Sequence, residues 1–78
     1  MHKGFVLLNC DLGAEEFIVD ELKKISQVSQ AYVTFGAYDI IAEISADSQQ
    51  DFDETVSVKI RQLTRVVSTM TLNVINSE

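Results

Sequence analysis

Two hydrophobic periods alternate along the chain and mark six elements. Residues 4–10 are short, β-rich and apolar on both alternating sides, with Phe5 and Leu7 on one and Val6 and Leu8 on the other. That pattern predicts a strand covered on both faces, ended by the turn signal Asp11-Leu12-Gly13. From residue 14 to 26 the period lengthens. Ala14, Phe17, Ile18, Leu22 and Ile25 recur at helical spacing. Glu15 and Glu16 in the first turn and Lys23 and Lys24 near the last suit the helix dipole. Residues 28–35 and 39–45 predict two strands joined at Gly36-Ala37, with Ile40, Ala42 and Ile44 on one face and Ile41 opposite. Asp47 or Ser48 is placed to cap a second helix over about residues 49–63, whose apolar stripe is Phe52, Val56, Ile60 and Leu63. Residues 66–75 form the last strand, with Met70, Leu72 and Val74 alternating against Thr69, Thr71 and Asn73.

The order β-α-β-β-α-β predicts an α+β, ferredoxin-like fold. Four antiparallel strands form one sheet, strands one and three lie in the centre, and both helices cover one face. The other face is too apolar to stay wet, because the first strand carries apolar residues on both of its sides. A second copy packing its sheet on this one is the physical answer, so a homodimer is expected.

Size supports that expectation. The chain has 78 residues, 46% of them hydrophobic, and a chain this short buries only about 60% of its unfolded surface. An intrachain disulfide is excluded because Cys10 is the sole cysteine. Zinc is disfavoured because His2 and Cys10 are the only soft ligands. Six basic against twelve acidic residues give a net charge of −6, which argues against direct nucleic-acid binding. The longest apolar run, Phe5 to Leu8, is far below the ~20 residues that span a bilayer. A lone thiol without an export signal points to the cytoplasm.

No catalytic set emerges. His2 reads as a solvated terminal residue, and Cys10 as a small core residue with no histidine to activate it. Asp47, Asp51, Asp53 and Glu54 surround a helix start, which accounts for them without calcium. Lys59, Arg61 and Arg65 read as solvating residues, and no cofactor motif is present. The chain is therefore expected not to be an enzyme.

One turn carries chemistry, Thr34-Phe35-Gly36-Ala37-Tyr38-Asp39. It reads first as a hairpin connection that needs Gly for its backbone angles and Asp for turn hydrogen bonds. It also reads as a small-molecule pocket, in which amides beside Gly36 receive a carboxylate and Asp39 receives an ammonium group. An amino acid carries both groups.

At this turn a resemblance enters. Residues 30–40, Gln30 to Ile40, resemble the signature of the RAM domain (regulation of amino acid metabolism), the effector domain of Lrp/AsnC transcriptional regulators. The flanks Glu21 to Ile25, Ala46-Asp47-Ser48, Lys59 to Leu63 and Ser68 to Leu72 agree. The resemblance covers about residues 3–75 and makes 1–78 a single RAM domain. It implies the same fold, face-to-face dimers, rings of dimers, and amino-acid effectors held between dimers against the G-x-Y-D turn. Carried over, Thr34, Gly36, Tyr38 and Asp39 become ligand-binding residues, with Ser68, Thr69 and Thr71 of the last strand beside them. Tyr38 either lines that pocket or packs in the interface.

Three departures accompany it. Met1 stands at the start of the effector domain, so a stand-alone module without a helix-turn-helix is expected. Gln27 and Arg65 stand where relatives often carry Gly, and altered caps follow. Phe35 stands where a smaller or polar residue is frequent and is placed to fill the pocket. The leading expectation is an amino-acid-binding and oligomerisation module acting as a transcription-regulation accessory. Its rivals are a purely structural partner that mixes with full-length Lrp/AsnC regulators, a dimeric α/β-barrel enzyme, and an ACT-type amino-acid binder with its ligand loop after the first strand.

Overall fold

The computed structural model describes residues 1–75. Its elements are β1 (His2–Cys10), α1 (Glu15–Lys23), β2 (Val28–Val33), β3 (Ile40–Ala46), α2 (Gln49–Glu54) running on into a π-helical segment (Thr55–Ile60), and β4 (Val66–Asn73). The strands form one antiparallel sheet in the order β2-β3-β1-β4. This is the ferredoxin-like arrangement expected from the pattern, with β1 and β3 in the centre. The last residues of the domain assignment, 76–78, lie outside the described residues.

Register explains the two faces. Val6 pairs with Ala42 and Thr71, and Leu8 with Ile40 and Thr69. On the helix side Val6, Leu8, Ile40, Ala42 and Ile44 bury completely against Ile18 and Leu22 of α1 and against Phe52 and Ile60. Each fully buried aliphatic or phenyl side chain stabilises the fold by about 1.5–3 kcal/mol.

Gly4 sets the packing of the second helix. A Cβ there would stand within 2.6 Å of Phe52 Cε2 and of the Leu72 carbonyl oxygen. Absence of a side chain therefore lets the Phe52 ring lie on the β1 backbone. The same ring meets His2 edge-on, with centroids 4.7 Å apart and planes at 73°. His2 Nε2 lies 3.0 Å from Asn73 Oδ1. His2 is thus half-buried and held, not the solvated terminal residue expected, because β1 begins two residues earlier than its pattern marked.

Helix α1 differs from its predicted stripe. Val19 is buried and Phe17 is 44% exposed, so the buried arc is centred on Ile18, Val19 and Leu22 rather than on the Phe17 side. At the start of α2, Ser48 Oγ accepts from the Asp51 amide at 3.1 Å and is the cap. The predicted regular helix over 49–63 widens instead after Glu54, where the Arg61 amide bonds the Val56 carbonyl at 2.9 Å, five residues back. Thr55 and Ser57 donate their hydroxyls to the carbonyls of Asp51 (2.7 Å) and Asp53 (2.8 Å). Such side-chain bonds compete with the backbone ladder and bend helices, and β-branched Val56, Val58 and Ile60 add crowding.

The face away from the helices carries Phe5, Leu7, Tyr32, Ile41, Met70 and Leu72. Tyr32, Met70 and Leu72 are each about half exposed (53%, 48% and 49%), a contiguous apolar layer of the kind that marks an interaction surface. Lys3 and Glu43, 3.3 Å apart, form an ion pair on it.

Candidate functional site

The β2–β3 connection is a six-residue turn, Thr34 to Asp39, longer than the tight Gly36-Ala37 turn expected. Its ends are locked. The Thr34 amide donates to the Asp39 carbonyl (2.8 Å), and the Thr34 hydroxyl donates to the Tyr38 carbonyl (2.7 Å). The Asp39 amide donates to the Leu8 carbonyl at 3.0 Å. In return the Cys10 amide donates to Asp39 Oδ2 at 3.0 Å. Asp39 thereby extends the pairing of β3 with β1 by one exchange and fastens the turn to the β1 end. Gly36 sits at φ +143°, a conformation that side chains disfavour.

Beyond the turn lies a hollow of about 510 Å³ lined by Gly13, Glu15, Glu16, Val33, Thr34, Phe35 and Asp39. The carboxylates of Glu15, Glu16 and Asp39, the Thr34 hydroxyl and two apolar walls make it suited to an ammonium-bearing guest. Phe35 is fully exposed at its rim. Cys10 reports the local field. Its thiol is pushed above the ordinary value, first by burial and then by the carboxylates of Glu15, Asp39 and Asp11, with Arg65 opposing. A thiol held protonated in this way is a poor nucleophile.

The structure brings Thr34, Gly36, Tyr38 and Asp39 together in one turn, and β1 lies between that hairpin and the β4 candidates. Tyr38 spans β1, its hydroxyl 3.6 Å from Met70 Sδ. Ser68 lies on the helix-free face, where Asn9 Nδ2 donates to its Oγ at 3.4 Å. Thr69 and Thr71 lie on the helix side, where Arg61 Nε donates to Thr69 Oγ1 at 3.3 Å. Sequence reasoning missed Gly13, Glu15 and Glu16 as neighbours of the turn. The signal for them was the sheet order, which sets the β1–α1 loop beside the start of β3. Among the described residues, no group of three or more His, Cys, Asp or Glu side chains is arranged to hold a metal, and no helix is long and apolar enough to cross a membrane.

A family model, the Lrp/AsnC ligand binding domain, matches residues 3–78. The chain belongs to this family. The crystal structure of FFRP-DM1 is 31% identical, with a TM-score of 0.92 over 96% of this chain and 100% of that one. AsnC of E. coli is 22% identical with a TM-score of 0.90, over 97% of this chain and 52% of that one. The transcriptional regulator NMB0573 of Neisseria meningitidis, solved as an L-Met complex, is 14% identical with a TM-score of 0.85, over 96% of this chain and 50% of that one. The latter two likenesses speak for the fold, and this Lrp/AsnC domain spans about half the length of either regulator. No protein of curated function matches the chain. The family match makes the chain a regulatory, effector-binding type of domain, and its AsnC-type neighbours are regulators rather than enzymes.

Proposed function

We propose that this Lrp/AsnC domain is an amino-acid-responsive binding and oligomerisation module that acts as a transcription-regulation accessory in the cytoplasm. The observation that carries the reading is the acidic hollow that Thr34, Phe35 and Asp39 of the turn line together with Glu15 and Glu16, in a chain of this family. In this reading the turn amides beside Gly36 receive the effector carboxylate, and Asp39 with the Thr34 hydroxyl receives its ammonium group. Tyr38 flanks the guest, and Ser68, Thr69 and Thr71 belong to a neighbouring copy. The NMB0573 complex with L-Met is a relative of this fold with an amino acid bound, which supports the ligand class. The apolar layer of Phe5, Leu7, Tyr32, Ile41, Met70 and Leu72 packs on its counterpart in a second copy, and the dimers assemble further into a ring. An effector that binds two assembly states unequally shifts their populations, and the output passes through full-length Lrp/AsnC regulators.

Calorimetry of the wild type and an Asp39→Ala variant against the twenty amino acids tests the reading. Heat with at least one amino acid, lost in Asp39→Ala, is expected. No heat with any of them, and no change in assembly size, overturns it. A second reading has its own observation: Thr34 and Asp39 already bond within the chain. That self-contained turn fits a purely structural partner, which would mix with full-length relatives while ignoring amino acids.

A further inference from the structure

Taking the helix-free face as the contact between two copies, as proposed above, we infer that Lys3 and Glu43 orient that contact. The ion pair at one end of the face meets the same pair of the second copy, and four alternating charges close around the two-fold axis.

The four strands carry one basic and one acidic side chain between them, Lys3 in β1 and Glu43 in β3. Lys3 stands opposite Ser45, and Glu43 opposite Phe5, so both share the helix-free face with Phe5 and Ile41. Lys3 Nζ lies 3.3 Å from Glu43 Oε2, with the two side chains 49% and 24% exposed. In a lone copy such a pair stabilises little. Its place gives it another meaning, because it borders a layer of Leu7, Tyr32, Ile41, Met70 and Leu72 that holds no charge. Covering the layer strips water from the pair, and a pair losing water is costly unless new partners replace it.

Two-fold packing of one sheet on another offers two orientations, with the sheets about 10 Å apart and their strands within about 30°. β1 and β3 are neighbours in the centre of the sheet. With the axis running along them, β1 of one copy lies over β3 of the other at the same level. Lys3 then has its own Glu43 and the partner's Glu43 within side-chain reach, and each carboxylate has two ammonium groups. With the axis running across the strands, β1 lies over β1 with its ends reversed. Lys3 then faces the partner's Asn9, and Glu43 faces the partner's Ile41, so neither gains a counter-charge. Charge complementarity of this kind fixes the register of an interface and selects the first orientation.

The test mixes charge variants of the whole chain. Lys3→Glu puts two acidic groups at this end of the face, and Glu43→Lys puts two basic ones. Each alone is expected to dimerise about tenfold or more weakly than the wild type, since like charges crowd the axis. In an equimolar mixture, one variant isotope-labelled, native mass spectrometry should find mixed dimers well above the statistical share, the excess shrinking as salt rises. The double variant Lys3→Glu/Glu43→Lys keeps an ion pair within each copy and should dimerise as the wild type does. Mixed with the wild type it brings like charges together, so mixed dimers should fall below the statistical share. Statistical mixing in both experiments overturns the orientation and leaves the dimer standing. A wild type that sediments as single copies overturns the dimer reading, and the orientation with it.

Discussion

Gly4→Ala isolates the contact that seats the second helix. In an open strand the exchange gains about 0.5–1 kcal/mol, because Gly is the more costly residue to order. Here the new methyl would meet Phe52 Cε2 and the Leu72 carbonyl oxygen at 2.6 Å each, far inside ordinary contact. The ring can retreat only into a core without spare room, and the carbonyl belongs to the ladder between β1 and β4. Overpacking of this kind costs about 1–3 kcal/mol and occasionally more. We take about 3 kcal/mol because one neighbour is backbone. A domain of this length has a stability of roughly 4–12 kcal/mol in all, and each kcal/mol shifts its melting point by about 4–8 °C. The melting temperature at fixed protein concentration is therefore expected to fall by about 12–24 °C. Urea unfolding followed by circular dichroism should show a lower midpoint at unchanged slope. A double-mutant cycle with Phe52→Leu identifies the cause, since a smaller side chain gives the methyl room. The pair should couple favourably by about 1 kcal/mol or more. A Gly4→Ala protein that melts with the wild type, or strict additivity with Phe52→Leu, refutes the reasoning.

Three further outcomes follow from other sites. Arg65 holds φ +76° without being Gly, and its half-exposed ion pair with Asp11, at 3.6 Å, stabilises little. Arg65→Gly is expected to raise stability by up to about 1 kcal/mol, and a loss in urea unfolding would count against strain at that position. The Cys10 thiol, raised first by burial and then by Glu15, Asp39 and Asp11, should ionise above its ordinary value when followed by thiolate absorbance. The unfolded chain releases this proton first, so the thiol's contribution to stability is complete below the ordinary value of 9.0 and is lost as pH rises through the folded one. Asp39→Asn should bring the midpoint down, and an unmoved midpoint would remove the carboxylate from the explanation. Ile41→Asp places a charge in the middle of the helix-free face. It should leave the circular dichroism spectrum intact while sedimentation shows a smaller species, and an unchanged mass would show that this face is not the contact.

The fold was legible because its signals are local. The unbroken apolar run of β1 marks a strand covered on both sides, alternation in β3 and β4 and helical spacing at Ile18, Leu22, Phe52, Val56 and Ile60 each name a face, and the element order leaves few sheets to build. The turn was legible through Gly36 and Asp39, whose residue types its backbone requires. What escaped was tertiary. His2 is held by Phe52 and Asn73, which are distant in sequence. Val19 displaced Phe17 because the tilt of a helix on its sheet is not written in a spacing. The widened turn after Glu54 arises from hydroxyls bonding backward, and Thr55 and Ser57 look like ordinary helix surface until those bonds are seen. The hollow needed the β1–α1 loop and the hairpin to be neighbours, and the pairing of Thr71 with Val6 decided which side of the sheet Thr71 shares with Arg61.

The clasp between the Asp39 carboxylate and the Cys10 amide has a mechanical meaning. It hitches the tip of an edge hairpin to the middle ribbon of the sheet, just where that ribbon hands over to α1. A guest that tugs on Asp39 would bare the Cys10 amide and slacken the lead into the helix, so news of its arrival would cross the molecule through one shared oxygen atom.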